Sequence, residues 1–150
     1  MDAEVYPDPK IGDFINQNFI AVKNHIKENP EGFKRFGAQW TPTVIIADPH
    51  GVERYRFEGF LPVDEFLPQI EFGLAKEEFA AGDFARAEPL FRKIVDTHPK
   101  ADIAPEALYW AGVAKYKGSG DAAALSETAT AFQSRYTDSV WAKKASIWRG

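Results

Sequence analysis

The apolar positions of this chain change their period near residue 74. Before it, short apolar runs alternate with Gly- and Pro-rich breaks; after it, apolar residues recur every three or four positions. Ile11, Phe14 and Ile15 follow a helical spacing behind Asp8, a suitable cap, and predict a helix over about 9–18. Phe19-Ile20-Ala21-Val22-Lys23-Asn24-His25-Ile26 is short, apolar and partly β-branched, and reads as a strand. Asn29-Pro30-Glu31-Gly32 breaks the chain, and Phe33 and Phe36 mark a short helix that Gly37 ends. Thr43 to Asp48, with Val44, Ile45 and Ile46 in a row, predicts a strand covered on both faces. Asp48-Pro49-His50-Gly51 is a turn, and Val52 to Glu58 returns as the second strand of an antiparallel hairpin, with Tyr55 and Phe57 on one face.

Val63, Phe66, Leu67, Ile70 and Leu74 form an amphipathic pattern, a helix over about 63–74 with Pro62 near its first turn and Pro68 as a kink or split point. Beyond it only helical periods remain, over about 75–81, 84–97, 104–117, 121–136 and 138–148. The expected division is therefore an α/β half, residues 1–74, and an all-α half, residues 75–150, with one helix bridging the boundary near 73–76. The second half carries an internal echo: Ala104, Ala107, Tyr109 and Trp110 return as Ala142, Ala145, Ile147 and Trp148, a shift of 38. Gly82, Phe84, Ala87, Phe91 and Pro99 resemble the second-helix half of the tetratricopeptide pattern, while Gly120, Ala124, Phe132 and Tyr136 only sketch it. A short tetratricopeptide-like array of helical hairpins is the expectation; the same periodicity also fits a plain four- or five-helix bundle.

Composition narrows the function classes. Aromatic residues make up 14% of the chain, which favours a packed core over disorder. The formal net charge is −4 with no basic stripe, so neither nucleic acid nor an anionic membrane is an expected partner. No apolar run approaches the ~20 residues of a membrane-spanning helix, and the acidic N-terminus lacks the apolar core of a signal peptide, which leads to a cytoplasmic expectation. His25, His50 and His98 are scattered and share no ligand spacing, so they read as solvated or capping residues. Glu77, Glu78, Asp83 and Glu88 read as a solvated face. No Ser/His/Asp order, phosphate loop or dinucleotide fingerprint is present, and no cofactor is implied. There is no cysteine, which removes thiolate chemistry and Cys-ligated metals together.

One stretch stands out against this background: Gln39-Trp40-Thr41-Pro42-Thr43, a proline entering a core strand. An X-Pro bond is the one place where a cis peptide is inexpensive, and such backbones often sit at binding sites. The plain alternative is an ordinary proline at the first residue of a strand. The order helix, strand, helix, Thr-Pro-Thr, strand, turn, strand, Gly, helix resembles a thioredoxin fold over about residues 1–74. Trp40-Thr41-Pro42-Thr43 stands as its cis-proline loop, Asp48-Pro49-His50-Gly51 as its hairpin turn and Glu58-Gly59-Phe60 before its last helix. Met1-Asp2-Ala3-Glu4-Val5-Tyr6 with Asp8-Pro9-Lys10-Ile11 is similar to the segment that follows the Cys-x-x-Cys helix start in one branch of that family. The family's first strand and its cysteines have no counterpart here. The resemblance therefore implies about three strands, closed if residues 19–26 pair directly with Thr43–Asp48 and otherwise open at two edges.

The resemblance also implies that Thr41, before the proline, offers its backbone to an extended peptide, with Trp40 as an aromatic flank, though Trp40 also suits a core position. Tyr109, Trp110 and Tyr116 are candidates for a peptide groove on the helices, next to Trp141 and Trp148; most of these rings are expected to fill contacts between helices. The expected function is protein or peptide binding without catalysis, through the cis-proline loop face and the helical array. The alternative is a piece of a longer thiol–disulfide oxidoreductase whose Cys-x-x-Cys lies outside these residues. A homodimer formed through open sheet edges is a further expectation.

Overall fold

A computed structural model describes residues 1–150. In chain order it contains α1 (Pro9–Asn18), α2 (Pro30–Arg35), β1 (Thr43–Ala47), β2 (Glu53–Glu58), α3 (Val63–Ala80), α4 (Phe84–Thr97), α5 (Ala104–Ser119), α6 (Ala123–Ser134) and α7 (Val140–Ala145), closed by a 3-10 turn at Ser146–Arg149. Local chemistry fixes several of these ends. Asp8 Oδ1 accepts from the Lys10 N–H at 2.9 Å ahead of Pro9, and Asn29 Oδ1 accepts from Gly32 N–H at 2.9 Å ahead of Pro30. Asp83 and Ser139 cap α4 and α7 in the same way. No helix is long and apolar enough to cross a membrane.

The sheet has two strands, not the expected three. β1 and β2 pair antiparallel, Thr43 opposite Glu58 and Ile46 opposite Tyr55, with a bulge between Ile46 and Ala47. The turn is held by Asp48, whose Oδ1 accepts from the N–H groups of His50 and Val52 at 2.9 Å each, while Gly51 supplies a positive φ of 79°. Those bonds, Val52's first, and Arg54 hold the Asp48 carboxyl below its ordinary range. Phe19 to His25 forms no strand. The segment runs unpaired, with Ile20 96% and Val22 76% exposed. An apolar, β-branched run becomes a strand only when a neighbour accepts its ladder, and here β1 is paired along its β2 side alone.

The other differences are at element ends. The expected helix over 75–81 is the continuation of α3, which passes residue 74 without a break. Pro68 does not split that helix: it lies in the second turn, fully buried, and forgoes only the bond its missing N–H would have given to the Asp64 carbonyl. The segment expected over 138–148 tightens after Ala145 into a 3-10 turn.

Two packed clusters share α3. Val5, Ile11, Phe66 and Ile70 join the N-terminal segment, α1 and α3, with Phe57 and Val44 of the hairpin against them. Phe72, Ala75, Ala87, Phe91, Ile94, Leu108, Ala111 and Phe132 form the larger cluster among the helices. Phe72 joins the halves: its ring meets Tyr55 of β2 at 5.1 Å and Phe91 of α4 at 5.3 Å, both edge-on. Further along, α5 and α6 approach so closely at Gly112 that a Cβ there would lie 2.1 Å from Thr128 Oγ1 and 2.8 Å from Thr128 Cβ. Thr128 is buried and its hydroxyl is engaged by the Ala124 carbonyl, so it has nowhere to move.

Gly112→Ala is expected to cost about 1–3 kcal/mol through this overpacking. Gly12→Ala in α1, where a Cβ meets nothing within 4 Å, is expected to gain roughly 0.5–1 kcal/mol from helix propensity. Urea denaturation midpoints of the two variants check the pair, which move in opposite directions.

Candidate functional site

The Trp40-Thr41-Pro42-Thr43 loop leads directly into β1. Its Thr41–Pro42 peptide bond is cis. Two hydrogen bonds hold the loop: Thr43 Oγ1 donates to the Trp40 carbonyl at 2.7 Å, and Gly59 N–H, beyond β2, donates to the Pro42 carbonyl at 2.8 Å. The preceding segment is tied to the hairpin by the Arg56 guanidinium, which donates to the Phe36 carbonyl at 2.5 Å and pairs with Glu53. Within this frame the backbone N–H and C=O of Thr41 meet no partner in the chain. Thr41 is exposed, Pro42 and Thr43 are half-buried, and Trp40 is 68% exposed rather than packed into the core. Phe60, next to Gly59, is exposed as well. The loop therefore offers free main-chain hydrogen-bonding groups between apolar side chains.

On the helical half, Tyr109 and Trp110 come together and Tyr116 does not join them. Tyr109 stacks on Trp148 at 4.6 Å, lies against Trp141 at 5.2 Å and meets Trp110 edge-on at 5.9 Å. Tyr116, two turns further along α5, stands exposed. The rings of Tyr109, Trp110, Trp141 and Trp148 all pack against the larger core, so each has one side committed to stability.

Charged groups absent from the sequence-level candidates decorate this aromatic face. Lys76 Nζ of α3 lies 3.6 Å from the centre of the Trp110 ring, and Lys144 Nζ of α7 lies 3.9 Å from that of Trp141. Glu106 Oε1 accepts from the Trp110 indole N–H at 3.2 Å. Burial lowers the Lys76 pKa and raises that of Glu106. Tyr55 donates its hydroxyl proton to Gln69 Oε1, and burial, then the Glu106 charge, pushes its pKa upward. The signal in the sequence was Glu106 four residues before Trp110 and Lys144 three after Trp141, both within reach on a helix.

The remaining candidates separate. Glu78 pairs with Arg86, Glu88 with Arg92, and Asp83 caps α4, so three of those four acids serve α3 and α4. His25 and His50 are exposed. His98 occupies the C-cap of α4, and its Nε2 lies 3.0 Å from Oε2 of Glu71, a nearly buried carboxylate on α3 that Lys93 also approaches at 3.3 Å. That pairing ties the end of α4 to α3.

Residues 1–74 match the family described as a thioredoxin-like domain, a match that includes the Thr41–Pro42 loop and ends within α3. No curated protein and no solved structure matches the chain.

The raised pKa of Glu106 has a definite sign for stability. The fold favours its protonated form, so this group's contribution is complete below the unfolded carboxyl value of about 4.3 and is lost as pH rises through the higher folded value. Glu106→Gln is neutral at every pH. It is expected to be more stable than the native chain at pH 7 and equal to it at pH 3.5, as read by thermal denaturation. A variant less stable at pH 7 would show instead that Lys76 and Lys144 hold the charge favourably.

Proposed function

We propose that this chain is a protein- or peptide-binding module that holds extended segments at the Trp40-Thr41-Pro42 loop and on the tetratricopeptide-like helical array, without catalysing thiol–disulfide exchange. The observation that carries the reading is the state of Thr41. Its N–H and C=O are exposed and unpartnered, next to the unpaired edge of β1, in a loop held by neighbours on both sides. An extended peptide laid along that edge gains main-chain hydrogen bonds from Thr41, and the exposed Trp40 and Phe60 supply apolar contact for its side chains. The absence of cysteine supports a binding role over a redox one, because exchange requires a thiolate to attack a disulfide sulfur.

A second reading is favoured by one specific observation, the exposure of Ile20, Val22 and Ile26 in a chain whose sheet has two strands. In it, residues 19–26 flank a strand supplied by sequence outside these residues, within a longer thiol–disulfide oxidoreductase. In-frame upstream DNA encoding a strand followed by Cys-x-x-Cys would establish this second reading and displace the first.

Trp40→Ala is expected to weaken binding of a labelled extended apolar peptide about tenfold, the usual loss for an exposed aromatic anchor. Fluorescence anisotropy reads it, and unchanged affinity would move the binding face away from the loop. The same chain is expected to show no turnover in an insulin-reduction assay; turnover above background would overturn the non-catalytic reading.

A further inference from the structure

Two strand-like features of this chain each lack what the other has. Residues 20–24, Ile20-Ala21-Val22-Lys23-Asn24, are all exposed, and none of their main-chain N–H or C=O groups meets a partner in the chain. The stretch is anchored at both ends. Phe19 N–H donates to the Ile15 carbonyl at 2.8 Å behind α1, and the His25 carbonyl accepts from the Glu28 and Asn29 N–H groups at 3.0 and 2.8 Å. Between these anchors Ile20 is 96% and Val22 76% exposed, two β-branched side chains at the spacing of one strand face. The opposite deficit belongs to β1. Its five residues pair with β2 on one side and with nothing on the other. Its apolar layer, Val44 and Ile46 packed over α3, ends at that edge. A free edge of this kind is a template for a further strand. Within one chain the two features do not meet.

We propose that residues 20–24 of one copy add as a third strand to the free β1 edge of a second copy, and that the exchange is reciprocal, giving a two-fold dimer. The assignment rests on the reading of the β1 edge as a surface that accepts extended chain, and it names the occupant. The lengths agree, five residues against five. The faces agree as well: Ile20 and Val22 continue the apolar layer of Val44 and Ile46 across the edge. Charge permits the contact, because β1 is uncharged and Lys23, the one charge in the segment, is paired with Asp2 at 2.7 Å. A second copy is favoured over an unrelated strand because it makes the same contact twice. Once one strand has docked, the other meets its edge as an intramolecular event. Each sheet then has three strands, the number at which a sheet ceases to be marginal. Two short strands bury less than a permanent interface does, so the dimer is reversible, with a Kd on the order of 10–100 µM. It covers the edge beside Thr41, so self-association and capture of a peptide there exclude one another.

The test is sedimentation velocity of the full chain from about 5 to about 500 µM, a range that spans the expected Kd. The sedimentation coefficient is expected to climb from that of a monomer to that of a dimer. Val22→Lys puts a charge into the apolar layer of the added strand and is expected to weaken association about tenfold or more. Val140→Lys, the same change at an exposed valine of α7, leaves association unchanged. Neither valine is packed, and circular dichroism confirms that both variants are folded. Hydrogen exchange at the two ends of the concentration range places the contact: amides of residues 20–24 and of β1 gain protection together. A labelled peptide of residues 18–25 is expected to bind the Val22→Lys chain, whose own β1 edge is intact, as read by fluorescence anisotropy. A chain that stays monomeric throughout overturns the assignment, as does a dimer that the two lysine variants weaken equally or one that protects only the helices. If the chain stays monomeric while the labelled apolar peptide binds and Trp40→Ala weakens it, the edge accepts extended chain and the second copy is the wrong occupant. If the chain stays monomeric and neither peptide binds, both readings fall together.

Discussion

The rest of the structure depends on α3 being buried on opposite sides at once. Phe66 and Ile70 face the N-terminal segment and hairpin, and Phe72 and Ala75 face the helices. A two-stranded hairpin is marginal in water, and so is an isolated helix as short as α1 or α4. Each finds its missing apolar surface on the same helix. The aromatic run from Phe57 through Tyr55 and Phe72 to Phe91, tilted at its first contact and edge-on at the other two, makes that shared burial continuous. Gly73 lets the hairpin come close: a Cβ there would lie 2.0 Å from Ile46 Cδ1 and 3.0 Å from the Tyr55 ring. The glycine and the phenylalanine beside it thus serve neighbouring faces of one turn, close approach to the hairpin at the first and filled volume between the hairpin and α4 at the second.

This arrangement leaves other surface uncommitted to the core. With α3 supplying the core, the loop at Trp40–Thr43 contributes little buried side chain and keeps its main chain available. On the helical side the aromatic rings commit one face to packing and leave the other to lysine side chains. Both faces are recessive in the same sense, polar backbone or charge laid against apolar rings. That combination suits recognition of extended chain better than enclosure of a small molecule.

Much of the fold was legible in the sequence because it rests on local signals. The β1 strand, the Asp48–Gly51 turn and α4 each carry their own period and punctuation, and their limits fall within a residue or two of expectation. What was not legible depends on partners distant in sequence. Phe19–Ile26 has the composition of a strand, but pairing decides strand formation, and no neighbour is present. Pro68 carries the signature of a break, yet burial between two clusters holds the helix through it. At the loop, the proline that enters β1 was legible because its cue is itself local. Lys76 was hidden, since a half-buried charge is defined by what another helix brings over it, and for Glu106 the sequence carries the spacing to Trp110 but not the burial.

The continuity of α3 also fixes a length. From Val63, close to the loop that Gly59 anchors, to Lys76 the helix rises about 20 Å. On the proposed binding role, it is a ruler between the loop and the helical half, and a ruler sets which ligands profit from both. A fully stretched segment of about six residues only just covers that span. On that proposal, a ligand whose two recognised stretches are separated by less than this engages one face at a time. One with a somewhat longer spacer turns the second encounter into an intramolecular event, at an effective concentration that falls again as the spacer grows. The helix that holds the fold together would then also act as a length filter, selecting ligands by the distance between their two recognised parts.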